Sequence, residues 1–240
     1  MSPTAHVTSP AAGWWEFDSV PVGIARVTPA HAVLDGTDPC LSAQDLERAA
    51  RFRFPEDRAR FVLGRRLLAA LIRDHRRLPP QPLDLALTEQ GRPYLADDPA
   101  LAFSISHAGD VVAVALALQA RVGIDVESLD RTLKIDPVAE RIFNAADLAR
   151  FRALPPETKH NGFFRAWTGK EAILKAQGIG LFGGVQAISV PMDEDARITI
   201  IDGAEPGAWQ LIPLAVPAGY LGAVACDDLR KTIQVREYTF

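Results

Sequence analysis

The spacing of apolar and polar residues changes period several times along the chain, and each change marks an element. Across 14–27, short apolar segments interrupted by Pro21 predict one or two strands. Ser42 followed three residues later by Asp45 is an N-cap signal for a helix running to about Phe54. Pro55-Glu56-Asp57 opens a second helix, because proline suits the first position and acids suit the first turn. Phe61, Leu67, Leu68, Leu71 and Ile72 form its buried stripe, and Pro79-Pro80 ends it. Period-two alternation then takes over. Residues 83–87 predict a strand, Gly91-Arg92-Pro93 a turn with a cation at its tip, and 103–107 a second strand. In that strand Phe103 and Ile105 face one side, Ser104 and Ser106 the other. The nearly continuous apolar run 111–118 predicts a central strand, and with 122–127 a hairpin in mid-chain. Helical periodicity returns over 135–154 and 158–177, the latter stopped by Gly178. Apolar segments around 188–190, 198–201, 209–214, 220–226 and 232–238 predict a β-rich tail. The order of elements predicts an α+β fold of two similar-sized lobes, 14–120 and 121–240, preceded by a loose tail at 1–13.

Charge at the edge of one apolar stripe draws attention to the helix 158–177. Glu171 lies one turn after Trp167 and two after Phe164, and Lys175 lies one turn further on. A solvated Glu-Lys pair would contribute only ~0.3–0.5 kcal/mol, and from this helix alone that reading is favoured. Asp125 and Glu127 alter the balance. Two residues apart on a strand, they share a face, while Ile124 and Val126 share the other. Adjacent carboxylates are tolerated when solvated, when one is protonated, or when a cation stands between them. With Glu171 as a third oxygen donor, the set suits a hard ion such as magnesium, which also binds substrate phosphates. No His/Cys spacing supports zinc. His107 follows two serines at a strand end beside a glycine turn, where it serves either as a structural hydrogen bonder or as a phosphate contact. Arg92 could serve the same phosphate. Gly169-Lys170 is not a P-loop: Phe164 stands where the leading glycine belongs and Glu171 where Ser or Thr belongs. Neither G-x-S-x-G nor G-x-G-x-x-G occurs.

Composition narrows the classes. The chain has 240 residues, 48% of them apolar, and a net charge of −4, so no global electrostatic case exists for nucleic acid or an anionic membrane. Arginine outnumbers lysine, which allows local phosphate recognition by guanidinium forks. Cys40 and Cys226 are far apart and predict free thiols in a reducing compartment. No signal peptide and no bilayer-spanning run is evident. The expectation is a cytoplasmic monomer.

In order along the chain, Gly91-Arg92-Pro93, Phe103-Ser104-Ile105-Ser106-His107, Gly123-Ile124-Asp125-Val126-Glu127 and Trp167-Thr168-Gly169-Lys170-Glu171-Ala172-Ile173-Leu174-Lys175 resemble the surfactin-synthetase type of 4'-phosphopantetheinyl transferase. Ala218-Gly219-Tyr220 with Ala223-Val224-Ala225 is similar to the family's late strand, and Arg60 with Leu63-Gly64 to its second helix. The likeness spans roughly 42–226. It implies transfer of the phosphopantetheine arm of coenzyme A to a serine of an acyl or peptidyl carrier protein, with release of 3',5'-ADP. It also implies two pseudo-twofold-related α+β lobes, helices packed on mainly antiparallel sheets, with coenzyme A in the cleft between them. By the match of motifs, Asp125, Glu127 and Glu171 would hold magnesium. Glu171, Lys175 and Asp125 would carry the chemistry. Arg48, Arg92, Ser106, His107, Lys170 and Lys175 would bind coenzyme A. Asp45 departs from the family where a second cation is expected, and Phe61 where a small polar residue is expected. The competing reading of the same residues is a magnesium-dependent phosphodiester hydrolase; a third is a non-catalytic coenzyme A or carrier-binding module.

Overall fold

The computed structural model describes residues 19–34, 36–76, 81–89, 91–180, 184–193 and 209–240. The predicted tail at 1–13, the proline stop at 79–80 and the predicted strand around 198–201 lie outside them. The chain divides into two compact units, Met1–Gln119 with Lys231–Phe240, and Ala120–Arg230.

In the first unit, β1 (Ser19–Arg26), β4 (Leu101–Ala108), β5 (Val111–Leu118) and β9 (Thr232–Tyr238) form one sheet in the order β4-β5-β1-β9. The strands run antiparallel except for β1 and β9, which run parallel. Pro21 sits inside β1, before the ladder to β5, which begins at Val22, and opposite Gln234 in the ladder to β9. A hairpin of β2 (Leu85–Leu87) and β3 (Pro93–Leu95) carries the Gly91-Arg92 turn, with Gly91 at φ +79°. The helix α1 (Ala43–Ala50) starts where expected, with Ser42 Oγ accepting from the Asp45 amide at 3.1 Å. It stops short of the predicted Phe54, whose carbonyl instead accepts the Arg58 amide at 3.2 Å at the start of the next helix. The helix α2 (Pro55–Arg76) buries Leu63, Leu67, Leu68, Leu71 and Ile72 against Phe103, Val112, Val114 and Leu116. Burial of such side chains stabilises by about 1.5–3 kcal/mol each.

The second unit repeats the plan with other partners. Its sheet has the order β6-β8-β7, antiparallel throughout, from β6 (Val122–Ser128), β7 (Gln210–Pro213) and β8 (Tyr220–Cys226). The long helix α5 (Pro156–Gln177) packs on it, ended by Gly178 in the left-handed region at φ +73°. Before it come α3 (Ile135–Ile142) and α4 (Ala145–Ala153).

Four expectations are corrected. The run 111–118 does not pair with 122–127; β5 pairs with β4 through the Gly109-Asp110 turn, and β6 pairs with β8. Gln119, at φ +54°, redirects the chain between the two sheets. The predicted helix 135–154 is two helices, because Asn144 caps the second by accepting from the Asp147 amide at 2.8 Å. The segment 188–190 follows a 3-10 turn and is not a strand. Residues 232–238 form the predicted strand, but it joins β1 in the first unit, so 121–240 is not one contiguous lobe. That return is fastened by Tyr238 Oη, which donates to Asp74 Oδ2 at 2.9 Å, and by Arg236, 3.2 Å from the same oxygen.

Candidate functional site

A close approach of helix to strand assembles the acidic residues. Asp125 and Glu127 share one face of β6 with Gly123. A Cβ placed on Gly123 would stand 1.9 Å from the Ala172 carbonyl oxygen and 2.6 Å from the Ala176 amide nitrogen. No side chain fits that gap, so glycine on the strand and alanines on the helix let α5 lie against β6. Glu171 and Lys175 each precede one of those alanines, and the contact therefore sets where their side chains emerge. Gly169 serves the same end on another side of α5, where a Cβ would meet Val190 Cγ1 at 2.7 Å and Leu211 Cδ2 at 2.8 Å.

The charges are coupled. Lys175 Nζ donates to Asp125 Oδ1 at 2.7 Å, and the Asp125 carboxylate is almost fully buried. Trp167 Nε1 donates to Glu127 Oε1 at 2.8 Å, and Arg131 Nη1 lies 3.4 Å from both Glu127 oxygens. Burial, then the neighbouring Asp125 charge, push the Glu171 carboxyl up to about 7, with Glu127 adding and Lys175 opposing. Burial and Asp125 also raise Glu127, against the Trp167 hydrogen bond, Arg131 and Lys175.

Among the described residues, no three His, Cys, Asp or Glu side chains are gathered closely enough to hold a metal ion. The chemistry of the donor set nonetheless suits a hard cation: Asp125, Glu127 and Glu171 are all oxygen donors. Glu127 and Glu171 are both held above the usual carboxylate range by burial and by the Asp125 charge, which a divalent ion there would offset.

Lys170 is not part of this group. It is fully buried, and its Nζ donates to Asp147 Oδ2 at 3.2 Å, to the Val185 carbonyl at 3.1 Å and to the Ile188 carbonyl. The expectation that it binds coenzyme A gives way to a structural placement, because its donors are already engaged on the far side of α5.

The remaining expected residues belong to the first unit. Ser106 is buried on β4 opposite Ala113, and His107 is exposed at the strand end opposite Val112. Arg60 Nη1 donates to the Gly109 carbonyl at 3.1 Å and so ties α2 to the turn that follows His107. Arg92 sits in the β2–β3 turn, its amide donating to Thr88 Oγ1 at 3.1 Å. Arg48 and Arg65 both place guanidinium groups over the Phe61 ring, 5.3 and 5.0 Å from its centroid. Arg65 also pairs with Asp45 at 2.8 Å, so the departures at Asp45 and Phe61 form one arginine-binding cluster.

Sequence reasoning missed three contributors: Gly123 as the point of closest approach, Trp167 as a donor to Glu127, and Arg131. A glycine inside a strand pattern and the i,i+4 spacing of Glu127 and Arg131 were the available signals. The indole donor left none, since Trp167 fits the apolar stripe equally well.

Comparison with known proteins covers both units. Residues 121–225 match the family model described as the 4'-phosphopantetheinyl transferase superfamily, and residues 27–119 match that of the N-terminal region of 4'-phosphopantetheinyl transferase. The chain is 33% identical over 190 residues to the 4'-phosphopantetheinyl transferase HetI of Nostoc sp., covering 77% of this chain and 78% of the relative. It is 29% identical over 194 residues to the phosphopantetheinyl transferase of Thraustochytrium sp., covering 75% and 67%. It is 28% identical over 160 residues to the 4'-phosphopantetheinyl transferase Sfp of Bacillus subtilis, covering 67% and 70%.

Proposed function

The chain belongs to the 4'-phosphopantetheinyl transferase superfamily, and we propose that Asp125, Glu127, Glu171 and Lys175 carry its reaction while Arg48, Arg92, Ser106 and His107 bind the nucleotide end of coenzyme A. As a 4'-phosphopantetheinyl transferase it moves the phosphopantetheine arm of coenzyme A to a carrier protein. The serine oxygen of the carrier forms a bond to the phosphorus that bears pantetheine. The bond from that phosphorus to the bridging oxygen breaks, and 3',5'-ADP leaves with the bridging oxygen.

Glu171 takes the serine proton. With no cation bound, burial and the Asp125 charge raise its carboxyl to about 7, which favours proton acceptance. Lys175, held on Asp125, presents positive charge to the diphosphate. Magnesium, held by Asp125, Glu127 and Glu171, would offset the charge that develops on the diphosphate oxygens. Exposed Arg48, Arg92 in its turn, Ser106 and His107 are assigned to the 3'-phosphate. The working form we propose is a cytoplasmic monomer with no nucleic-acid partner. The negative net charge and the two free cysteines, Cys40 and buried Cys226, are in keeping with it. No helix among the described residues is long and apolar enough to cross a membrane.

The observation that carries the site assignment is the coupling of three carboxylates on β6 and α5 around Lys175. The test is intact-mass spectrometry of an apo carrier protein incubated with this protein, coenzyme A and magnesium, with and without EDTA. A mass gain of one phosphopantetheine arm, lost with EDTA, is the expected result. Cleavage of coenzyme A with no change in carrier mass would support a hydrolase in its place.

A further inference from the structure

Lys170 stands beside Glu171 in sequence, yet its ammonium is fully buried among acceptors supplied by the protein itself. Around it is a polar knot. Asp147, itself fully buried, accepts from Lys170, from Ser189 Oγ at 3.2 Å and from Arg150. Asn144 Oδ1 accepts the Asp147 amide, while its Nδ2 donates to the Gln186 carbonyl at 3.2 Å and to Ser189 Oγ at 3.1 Å. The Lys170 ammonium also lies 5.4 Å from the centroid of the Phe143 ring. One lysine thus joins three pieces: the middle of α5, the N-terminal end of α4 and the segment 185–189.

Where the knot sits on the helix gives it a consequence. Residues two apart on an α-helix are about 200° apart around its axis. Lys170 and Ala172 therefore anchor opposite sides of α5, Lys170 to the knot and Ala172 to Gly123 on β6. Glu171 lies between the two anchors. An apolar residue at 170 would fill the same space without directional bonds, and would leave α5 free to rotate slightly about the alanine contact. A buried ammonium with three acceptors holds one rotation, because any other leaves acceptors or the charge unmatched.

We infer that Lys170 is a positioning residue for the transfer reaction: through Asp147, Val185 and Ile188 it fixes the rotation of α5 that aims Glu171, and it does not touch coenzyme A. This inference rests on the assignment of Glu171 made above.

Its test compares wild type, Asp147→Asn and the double variant Lys170→Met with Asp147→Asn in the intact chain. Asp147→Asn keeps the lysine and two of its acceptors and guards against the double variant failing to fold. Thermal melts establish the folded state, and calorimetric titration of coenzyme A in EDTA reads nucleotide binding apart from turnover. The expected result is a graded loss of kcat, about threefold for Asp147→Asn and at least tenfold for the double variant. The KM for coenzyme A and its Kd in EDTA should stay within twofold of wild type. A folded double variant with wild-type kcat would overturn the inference and leave the knot a matter of stability alone. A tenfold weaker Kd with kcat retained would overturn it in favour of nucleotide contact. Glu171→Ala run alongside separates the two readings: normal transfer by that variant defeats the site assignment whatever the Lys170 series shows.

Discussion

The two sides of α5 carry buried charge in opposite conditions. On one side Lys170 and Asp147, both fully buried, are surrounded by carbonyls, a hydroxyl and a second cation. On the other, Asp125, Glu127 and Glu171 crowd together with Lys175 and Arg131 as cations, and two of the carboxyls are displaced upward. The same helix thus borders one cluster whose buried charges are met by directed hydrogen bonds and one in which three carboxylates stand against two cations. Under the function proposed above, a cation and a diphosphate would complete the second cluster.

Glu171→Ala gives the strongest test of that contrast. It should lower carrier modification at least 1,000-fold, on the scale expected for removal of a base, while circular dichroism and the melting profile remain those of a folded protein. Retained transfer in a folded variant would place the chemistry elsewhere.

Gly123→Ala comes next, because both sides of the comparison depend on the seat of α5. A methyl group there would stand 1.9 Å from the Ala172 carbonyl oxygen, and backbone cannot step aside as a side chain can. The expected loss is about 3 kcal/mol or more, read as a fall in the urea midpoint together with loss of transfer. A stable, active variant would show that helix and strand are not in contact.

His107→Ala and Arg92→Ala sharpen the comparison from the other unit. Each should raise the KM for coenzyme A roughly tenfold, about 1.4 kcal/mol, with kcat little changed. A fall in kcat at constant KM would move these residues from binding to chemistry.

The smallest effect concerns stability. Glu171 binds its proton more tightly in the folded chain than in the unfolded one, so stability falls as pH rises from about 4.5 to about 7. Glu171→Gln removes that dependence. In EDTA its advantage over wild type should be near zero below pH 4.5 and should level off above pH 7, on the order of 1 kcal/mol after allowance for partial exposure. Added magnesium should narrow the gap by stabilising wild type. Parallel melting curves at pH 4.5 and 8 would show that the carboxylates are not in surplus.

Much of this was readable from residue order. The Ser42 cap, Pro55 at a helix start, the Gly178 stop and the strands over 220–226 and 232–238 depend on short-range chemistry, and each stands where expected. The acidic pair on a strand and Glu171 with Lys175 on a helix were legible for the same reason. The errors share a cause as well. Pairing β5 with β6 follows from adjacency in sequence, but the two edges of β5 are taken by its other neighbour, β4, and by the distant β1, and β6 pairs with the distant β8. The single helix over 135–154 failed because the Asn144 cap is hidden inside a helical pattern.

By itself, then, the sequence determined the elements, their order and the residue types needed for phosphoryl transfer, because periodicity, capping and motif spacing act over a few residues. Tertiary structure alone decided that β9 completes the first sheet, that Gly123 lets α5 seat on β6, and that two lysines five residues apart have different work. Lys175 reaches Asp125 and Lys170 reaches Asp147. A helix turns by about 100° per residue, so which lysine reaches the acidic strand and which is enclosed depends on what packs against each side, and that is fixed only when the distant segments 122–128 and 185–189 close on the helix.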